Sequence, residues 1–273
     1  MGGIMVKQAL PTNNVIQVDP FLLLHHGKFT YSENAPAIQQ GLGPHPHRGF
    51  TPVSFVIDGE VHHRDSRGNN QIAKKGEVQW MHAGAGIIHS ERPSQQLADR
   101  NGTQEVIQLW INSPASKKMN QPNYQYVAEA DIPLFLSEDK LVSNKLIAGN
   151  FSGLQSKIIT ESDLLIVWGE AIQGGSQTFV IEKNFNSMLY VINGEMKIAG
   201  YGKVEKESLV IYDEDPWDIE VSANSRALFL LLSGAPIHEK VVQHGPFVMN
   251  SETELLQAMR DYQKGKMGIL IER

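Results

Sequence analysis

The chain has 273 residues, 41% of them hydrophobic and 20% charged, the make-up of a folded globular protein long enough for one large domain or two of ordinary size. Lys and Arg number 24 against 30 Asp and Glu, a net charge of −6, and the basic residues are scattered, so direct nucleic-acid binding is not expected. There is no cysteine, which excludes disulfides, thiolate ligands, a catalytic thiol and cysteine-based zinc sites; any redox chemistry must belong to a metal or a bound molecule.

The first apolar run, Phe21-Leu22-Leu23-Leu24, is short and leads directly into His25-His26-Gly27. It lacks the basic flank and the length of a secretory signal or a membrane span, and the expectation is a cytoplasmic protein without membrane attachment. His45-Pro46-His47 then precedes a strand-like segment, and His89-Ser90-Glu91 follows the glycine turn Gly84-Ala85-Gly86. The outer members of each triplet are two residues apart, so on an extended chain they project from one face. Two such strands side by side would gather three imidazoles and a carboxylate, which is the outline of a metal site; spacing alone leaves chance clustering open.

Eight of the ten histidines lie between His25 and His89. His25, His26, His62, His63 and His82 have no partner at ligand spacing and read as ordinary core or surface residues. His62 and His63 adjoin Arg64, Asp65 and Arg67 in what reads as a solvated polar loop, whereas His82 closes the segment Glu77 to His82 and could line a cavity. Gln79-Trp80-Met81 within that segment reads as core.

Phe55-Val56-Ile57-Asp58-Gly59-Glu60-Val61 has an echo 135 residues later in Tyr190-Val191-Ile192-Asn193-Gly194-Glu195-Met196. In both copies an apolar run enters Asp-Gly or Asn-Gly, which predicts a two-residue hairpin turn. The displacement is about half the chain, so a tandem pair of similar β domains is expected. Val106 to Ile111, Ser187 to Ile192, Ser208 to Tyr212 and Ala227 to Leu232 are further short strands, and the fold class is all-β. Ala130 to Asp139 carries weak strand signals and is placed as the connection, giving an N-terminal domain over 1–132 and a C-terminal one over 140–250. A C-terminal helix and tail occupy 251–273. There Ser251-Glu252-Thr253-Glu254 has the form of a capping box, Leu255, Leu256, Met259 and Tyr262 follow at helical spacing, and Gly265 is the stop.

Three runs carry a resemblance to a known family. His45-Pro46-His47-Arg48-Gly49-Phe50, the stretch from Gly76 to Glu91 containing Gln79-Trp80-Met81-His82 and His89-Ser90-Glu91, and His244-Gly245-Pro246-Phe247-Val248-Met249-Asn250 are similar to the signatures of the pirins within the cupin superfamily. The resemblance spans nearly the whole chain and implies a bicupin, two packed jelly-roll barrels with one mononuclear metal site in the first. It also implies that His45, His47, His89 and Glu91 are the metal ligands. Thr51-Pro52 departs from the pattern, since related sequences usually continue with glutamate after the Arg-Gly-Phe; Pro52 implies a strand edge or bulge.

Three imidazoles and one carboxylate suit Fe(II) first, with Mn, Ni, Cu or Zn also compatible. No histidine occurs in the second half before His238, so a second three-histidine site is not expected there, and Glu182 or Glu220 would be poor substitutes. The resemblance to bacterial pirins implies a quercetin 2,3-dioxygenase, with a flavonol and dioxygen as substrates and Glu91 as catalytic base. Resemblance to eukaryotic pirins implies a different class, a regulator whose iron oxidation state alters a surface that binds a transcription factor or metabolic enzyme, with Arg48 as reporter if exposed. A bicupin whose metal has lost its role is a third reading. A monomer is expected.

Overall fold

The computed structural model describes residues 5–212 and 218–272. They divide by contacts into two compact units: residues 5–11, 21–129 and 238–272 form the first, and residues 12–20, 130–212 and 218–237 the second. The boundary at 129/130 falls where weak strand signals begin. The stretch 238–250, expected with the second barrel, belongs instead to the first unit, as does the terminal helix. No described helix is long and apolar enough to cross a membrane.

The first unit contains β1 (Met5–Leu10), β2 (Phe21–Thr30), β3 (Leu42–His47), β4 (Phe50–Asp58), β5 (Glu60–Asp65), β6 (Asn70–Lys74), β7 (Val78–His82), β8 (Ile87–Arg92), α1 (Gln95–Asp99), β9 (Thr103–Asn112) and β10 (Asn123–Val127). They make two antiparallel sheets, one in the order β1-β2-β9-β4-β7-β10 and one in the order β3-β8-β5-β6. The second unit contains β11 (Leu134–Leu136), β12 (Val142–Ala148), β13 (Asn150–Phe151), β14 (Leu154–Gln155), β15 (Leu164–Ala171), β16 (Ser176–Val180), β17 (Asn186–Asn193), β18 (Glu195–Ile198), β19 (Gly202–Glu205), β20 (Ser208–Ile211), β21 (Asp218–Ala223) and β22 (Ala227–Gly234). Its sheets, β11-β12-β15-β22-β17-β20 and β16-β21-β18-β19, repeat the plan, β15-β22-β17-β20 answering to β2-β9-β4-β7 and β16-β21-β18-β19 to β3-β8-β5-β6.

The echo between the halves is a corner and not the expected hairpin. β4 ends at Asp58, Gly59 takes φ +74°, and β5 starts in the other sheet; β17, Gly194 at φ +82° and β18 do the same. β4 pairs with β9 and β7, whereas β5 pairs with β8 and β6. A register slip between Val56 and Asp58, matched by one between Val191 and Asn193, adds the local bend that lifts the strand out of its sheet. Close approach fixes the glycine as well as its conformation. A Cβ on Gly59 would lie 2.2 Å from the Thr103 carbonyl oxygen, and one on Gly194 would lie 2.2 Å from that of Arg226.

Pro52 lies inside β4, paired across to Trp110 of β9, but the pairing to β7 begins only at Val53. The proline therefore occupies the one stretch of a central strand where a missing N–H costs no ladder bond. Gln79, Trp80 and Met81 are buried core, as read from their sequence.

The C-terminal segment adds β23 (Val242–His244), β24 (Phe247–Met249) and α2 (Glu252–Gln263). The Ser251 hydroxyl accepts the Glu254 N–H at 3.3 Å as a capping box requires, while the Glu254 carboxylate reaches past Ser251 to the Asn250 N–H at 3.0 Å. α2 buries Leu255, Ala258 and Asp261; Leu256 and Tyr262, expected on its packed face, are largely exposed. The reason is that the packed stripe ends on a charge, because Asp261 pairs with the buried Arg48 at 3.0 Å. Arg48 is also bracketed by the β23–β24 hairpin, its N–H donating to the Pro246 carbonyl and its carbonyl accepting from Val248. Lys118, fully buried, donates to the carbonyls of Gly49 and Val248 and to Asn112 Oδ1, tying the same hairpin to the barrel.

Candidate metal centre

β3 and β8 are neighbours in the smaller sheet, and their register sets His45 directly opposite His89 and His47 opposite Ile87. His45, His47 and His89 thus converge from two adjacent strands, with one ring nitrogen of each within 4.8 Å of the other two. Ring centroids are 4.8 Å apart for His45 and His47, 4.4 Å for His45 and His89, and 4.8 Å for His47 and His89. His47 and His89 are buried, and His45 is half-buried. The edge of His47 is set by T-shaped contacts to Phe50 and Trp110.

The chemistry of these donors fits a cation-binding role. Burial pushes His47 and His89 well below the ordinary imidazole range, and their neighbouring histidines push further, so both are neutral and carry a lone pair at neutral pH. The Pro246 carbonyl faces the His47 ring and opposes this shift, but it lies outside hydrogen-bonding geometry: neither His47 nitrogen has a partner, and neither does His89 Nε2. Orphaned buried lone pairs of this kind are costly unless something electron-poor meets them. The His45 Nδ1–H donates to the Gly43 carbonyl at 2.8 Å, which leaves Nε2 as its free donor atom.

Glu91 shares the face of His89 but is not in the convergent cluster. Its Oε1 accepts from the Ser54 hydroxyl and its Oε2 from Gln108 Nε2, each at 2.9 Å. Gln108 cannot turn its amide over, because its Oε1 accepts the Trp110 indole N–H at 3.2 Å. Glu91 also lines a cavity of about 90 Å³ together with Tyr31, Leu42, Gln104 and Gln108.

Two sequence readings change here. His63 is no solvated loop residue: it sits in strand β5, 2% exposed, with Nδ1 3.4 Å from His89 Nδ1 and its ring stacked on Tyr124 at 4.2 Å. Arg64, Asp65 and Arg67 gave the segment its loop-like polarity, yet alternate residues of β5 face inward, so a polar inward residue means a polar interior rather than solvent. The signal that could have found it was the i, i+2 pair His63 and Asp65, the same spacing that marks the other couples. Arg48, considered as an exposed reporter, is 3% exposed and committed to Asp261 and to the Ala85 carbonyl. His62 meets Asn70, His26 is buried against Glu105, and His82 is buried with Nδ1 3.3 Å from the Thr51 hydroxyl; none of them joins the cluster.

Carrying the same cross-strand pairings into the second unit places Phe179 where His45 stands, Ile198 for His63, Ile219 for His89 and Val221 for Glu91. All four are buried in one hydrophobic cluster. Where the first barrel presents nitrogen, the second presents hydrocarbon.

Two jelly-roll barrels in tandem, one lined by converging imidazoles and its twin by apolar side chains, define a cupin protein with two barrels and, among the described residues, one candidate metal centre. The family model described as Pirin matches residues 3–111 and that described as Pirin C-terminal cupin domain matches residues 153–268. The chain belongs to the pirin family. It is 36% identical over 267 residues to a protein of Pseudomonas aeruginosa provisionally named quercetin 2,3-dioxygenase, covering 97% of this chain and 92% of that one. The crystal structure of a quercetin 2,3-dioxygenase from Acinetobacter baumannii superposes with a TM-score of 0.86 at 32% identity, over 93% of this chain and 88% of the other. A bacterial pirin from Escherichia coli, solved in complex with nickel(II), shares the fold with a TM-score of 0.67 at 21% identity, over 86% and 93% of the two chains.

Proposed function

We propose that the chain is a metal-dependent dioxygenase acting on quercetin or a closely related flavonol, with His45, His47, His89 and Glu91 as its metal ligands. The observation that carries this reading is the pair of buried, neutral imidazoles of His47 and His89 with unpartnered nitrogens, converging with His45 and flanked by a carboxylate that lines a cavity. The likeness to proteins named quercetin 2,3-dioxygenase supplies the substrate class. All-nitrogen and oxygen donors without thiolate favour Fe(II), with Mn, Ni, Cu and Zn as compatible ions. Bound there, such an ion would supply a Lewis acid for the flavonol 3-hydroxyl and a means of engaging dioxygen.

The residues then divide the work. Glu91 accepts the 3-hydroxyl proton, and each of its oxygens keeps a lone pair free while Ser54 and Gln108 hold it in place. Trp110 fixes Gln108 and packs edge-on against His47, linking the carboxylate's support to the histidine cluster. A cavity of about 90 Å³ is below the roughly 300 Å³ at which small-molecule sites begin, so admission of a flavonol displaces the lining. Val6 and Leu42, 46% and 44% exposed, are the lining side chains free to give way.

The test is aerobic addition of quercetin to protein loaded anaerobically with iron, manganese or nickel, following loss of the flavonol absorbance and release of carbon monoxide. Turnover is expected with at least one ion, and His89→Ala is expected to abolish it. Loss of absorbance no faster than with His89→Ala under every loading would sink the proposal.

A further inference from the structure

We infer that His63 and Asp65 are positioning residues that fix the ring of His89 in the one tautomer able to bind a metal. This deepens the reading above and rests on His89 being a ligand. The three residues form a buried line across neighbouring strands, Asp65 lying directly opposite His89 and His63 opposite Glu91. They are 3%, 2% and 2% exposed for Asp65, His63 and His89.

The direction of every proton in the line follows from its far end. Asp65 Oδ1 accepts the backbone N–H groups of Arg67 and Asn69 at 2.9 and 3.1 Å, and Oδ2 accepts Asn69 Nδ2 at 2.7 Å. A carboxylate so placed can only accept, so the 3.1 Å contact from His63 Nε2 to Oδ2 puts the His63 proton on Nε2. In the neutral ring, which carries a single proton, His63 Nδ1 is then the acceptor. Facing it at 3.4 Å, His89 Nδ1 must carry the proton, and His89 Nε2 is left with the lone pair and no partner. The stacking of His63 on Tyr124, with 14° between the planes, keeps the ring from turning out of the line. A carboxylate, a first imidazole and a second imidazole thus stand in series behind one coordinating nitrogen, an extended form of the carboxylate–histidine pairs that orient metal ligands elsewhere.

Asp65→Asn makes the inference testable because it is nearly isosteric and reverses the line. The two backbone N–H groups claim the amide oxygen at the Oδ1 position, so the NH₂ takes the place of Oδ2 and donates to His63 Nε2, while Asn69, which donated to Oδ2, turns its amide to present its oxygen. His63 then carries its proton on Nδ1, and His89 must accept at Nδ1 and carry its proton on Nε2, which opposes coordination. His63→Phe keeps the stacking surface but removes both nitrogens, freeing His89 to populate either tautomer.

The readouts are long-range ¹⁵N NMR of ring-labelled histidines in the protein without added metal, and Ni(II) affinity of wild type and variants against a competing chelator. His89 is expected as the Nδ1–H form in wild type, the Nε2–H form in Asp65→Asn and a mixture in His63→Phe. Nickel affinity is expected to fall about 10–100-fold in Asp65→Asn and less in His63→Phe, with circular dichroism of both like that of wild type. Unchanged His89 tautomer in Asp65→Asn overturns the inference whatever the metal does. If wild type binds no Ni(II), Mn(II) or Fe(II), the metal reading fails, and the tautomers alone still decide whether His63 and Asp65 position His89.

Discussion

Lys118 puts an ammonium in the interior with three oxygens around it and no carboxylate among them. Burial drags its pKa down to about 8, the expected direction for a cation taken out of water; its hydrogen bonds and the more distant charges of Glu239 and Glu254 offset part of that cost. Replacing it by Met should therefore destabilise the first unit by roughly 2–4 kcal/mol, since the shared donor to Gly49, Asn112 and Val248 is lost. Urea unfolding would show it, and a change under about 0.5 kcal/mol would refute the role. Lys118 was silent in the sequence, where nothing distinguishes it from its neighbour Lys117. The same scale explains the uneven legibility of the site. His45, His47 and His89 declare themselves through their spacing and their strand pairing. His63 has the same spacing from Asp65, but interleaved arginines give it the look of surface. Glu91 was legible as a partner of His89, whereas Ser54 and Gln108, which hold its carboxylate, come from β4 and β9 and have no sequence relation to it.

At the scale of elements, the corner glycines and the terminal helix both corrected a reading that was right about chemistry and wrong about place. An Asp-Gly or Asn-Gly pair reports a left-handed glycine, and a sheet-to-sheet corner needs one as much as a hairpin does. In α2 the helix and its cap were legible, but the packed stripe was not, because a buried aspartate breaks the apolar periodicity. Lys266, with Arg48 and Gln257 behind it, holds the Asp261 carboxyl down at about 2 from an ordinary 3.8. A carboxyl depressed in the folded state adds stability above its unfolded value, and that stability is lost as pH falls through the folded one. Asp261→Asn should thus be less stable than wild type by about 1–3 kcal/mol at neutral pH, and the difference should close between pH 4 and pH 2. A gap that persists unchanged at pH 2 would show that packing, and not charge, anchors the helix.

For the whole molecule, the strand plan is repeated, but among the described residues the converging histidines are not. Phe179, Ile198, Ile219 and Val221 stand where a duplicated site would need imidazole or carboxylate, and they fill the space as core. Metal analysis should find one equivalent per chain and none in a His45→Ala, His47→Ala, His89→Ala triple variant. Two equivalents in wild type, or one surviving in the triple variant, would place a site outside the first barrel. The half-chain echo made the duplication legible, and the lack of histidine before His238 made its asymmetry legible. The return of residues 238–272 to the first unit was not, since no local pattern records which of two barrels a distant segment will join.

That return sets an order of events during synthesis. Arg48 is buried one residue after His47, yet the aspartate that neutralises it is 213 positions further along the chain. Until Asp261 arrives, the Arg48 guanidinium keeps the Ala85 carbonyl but lacks its carboxylate partner. The strand that carries His45 and His47 therefore gains its final setting only when α2 packs, after both barrels have been synthesised.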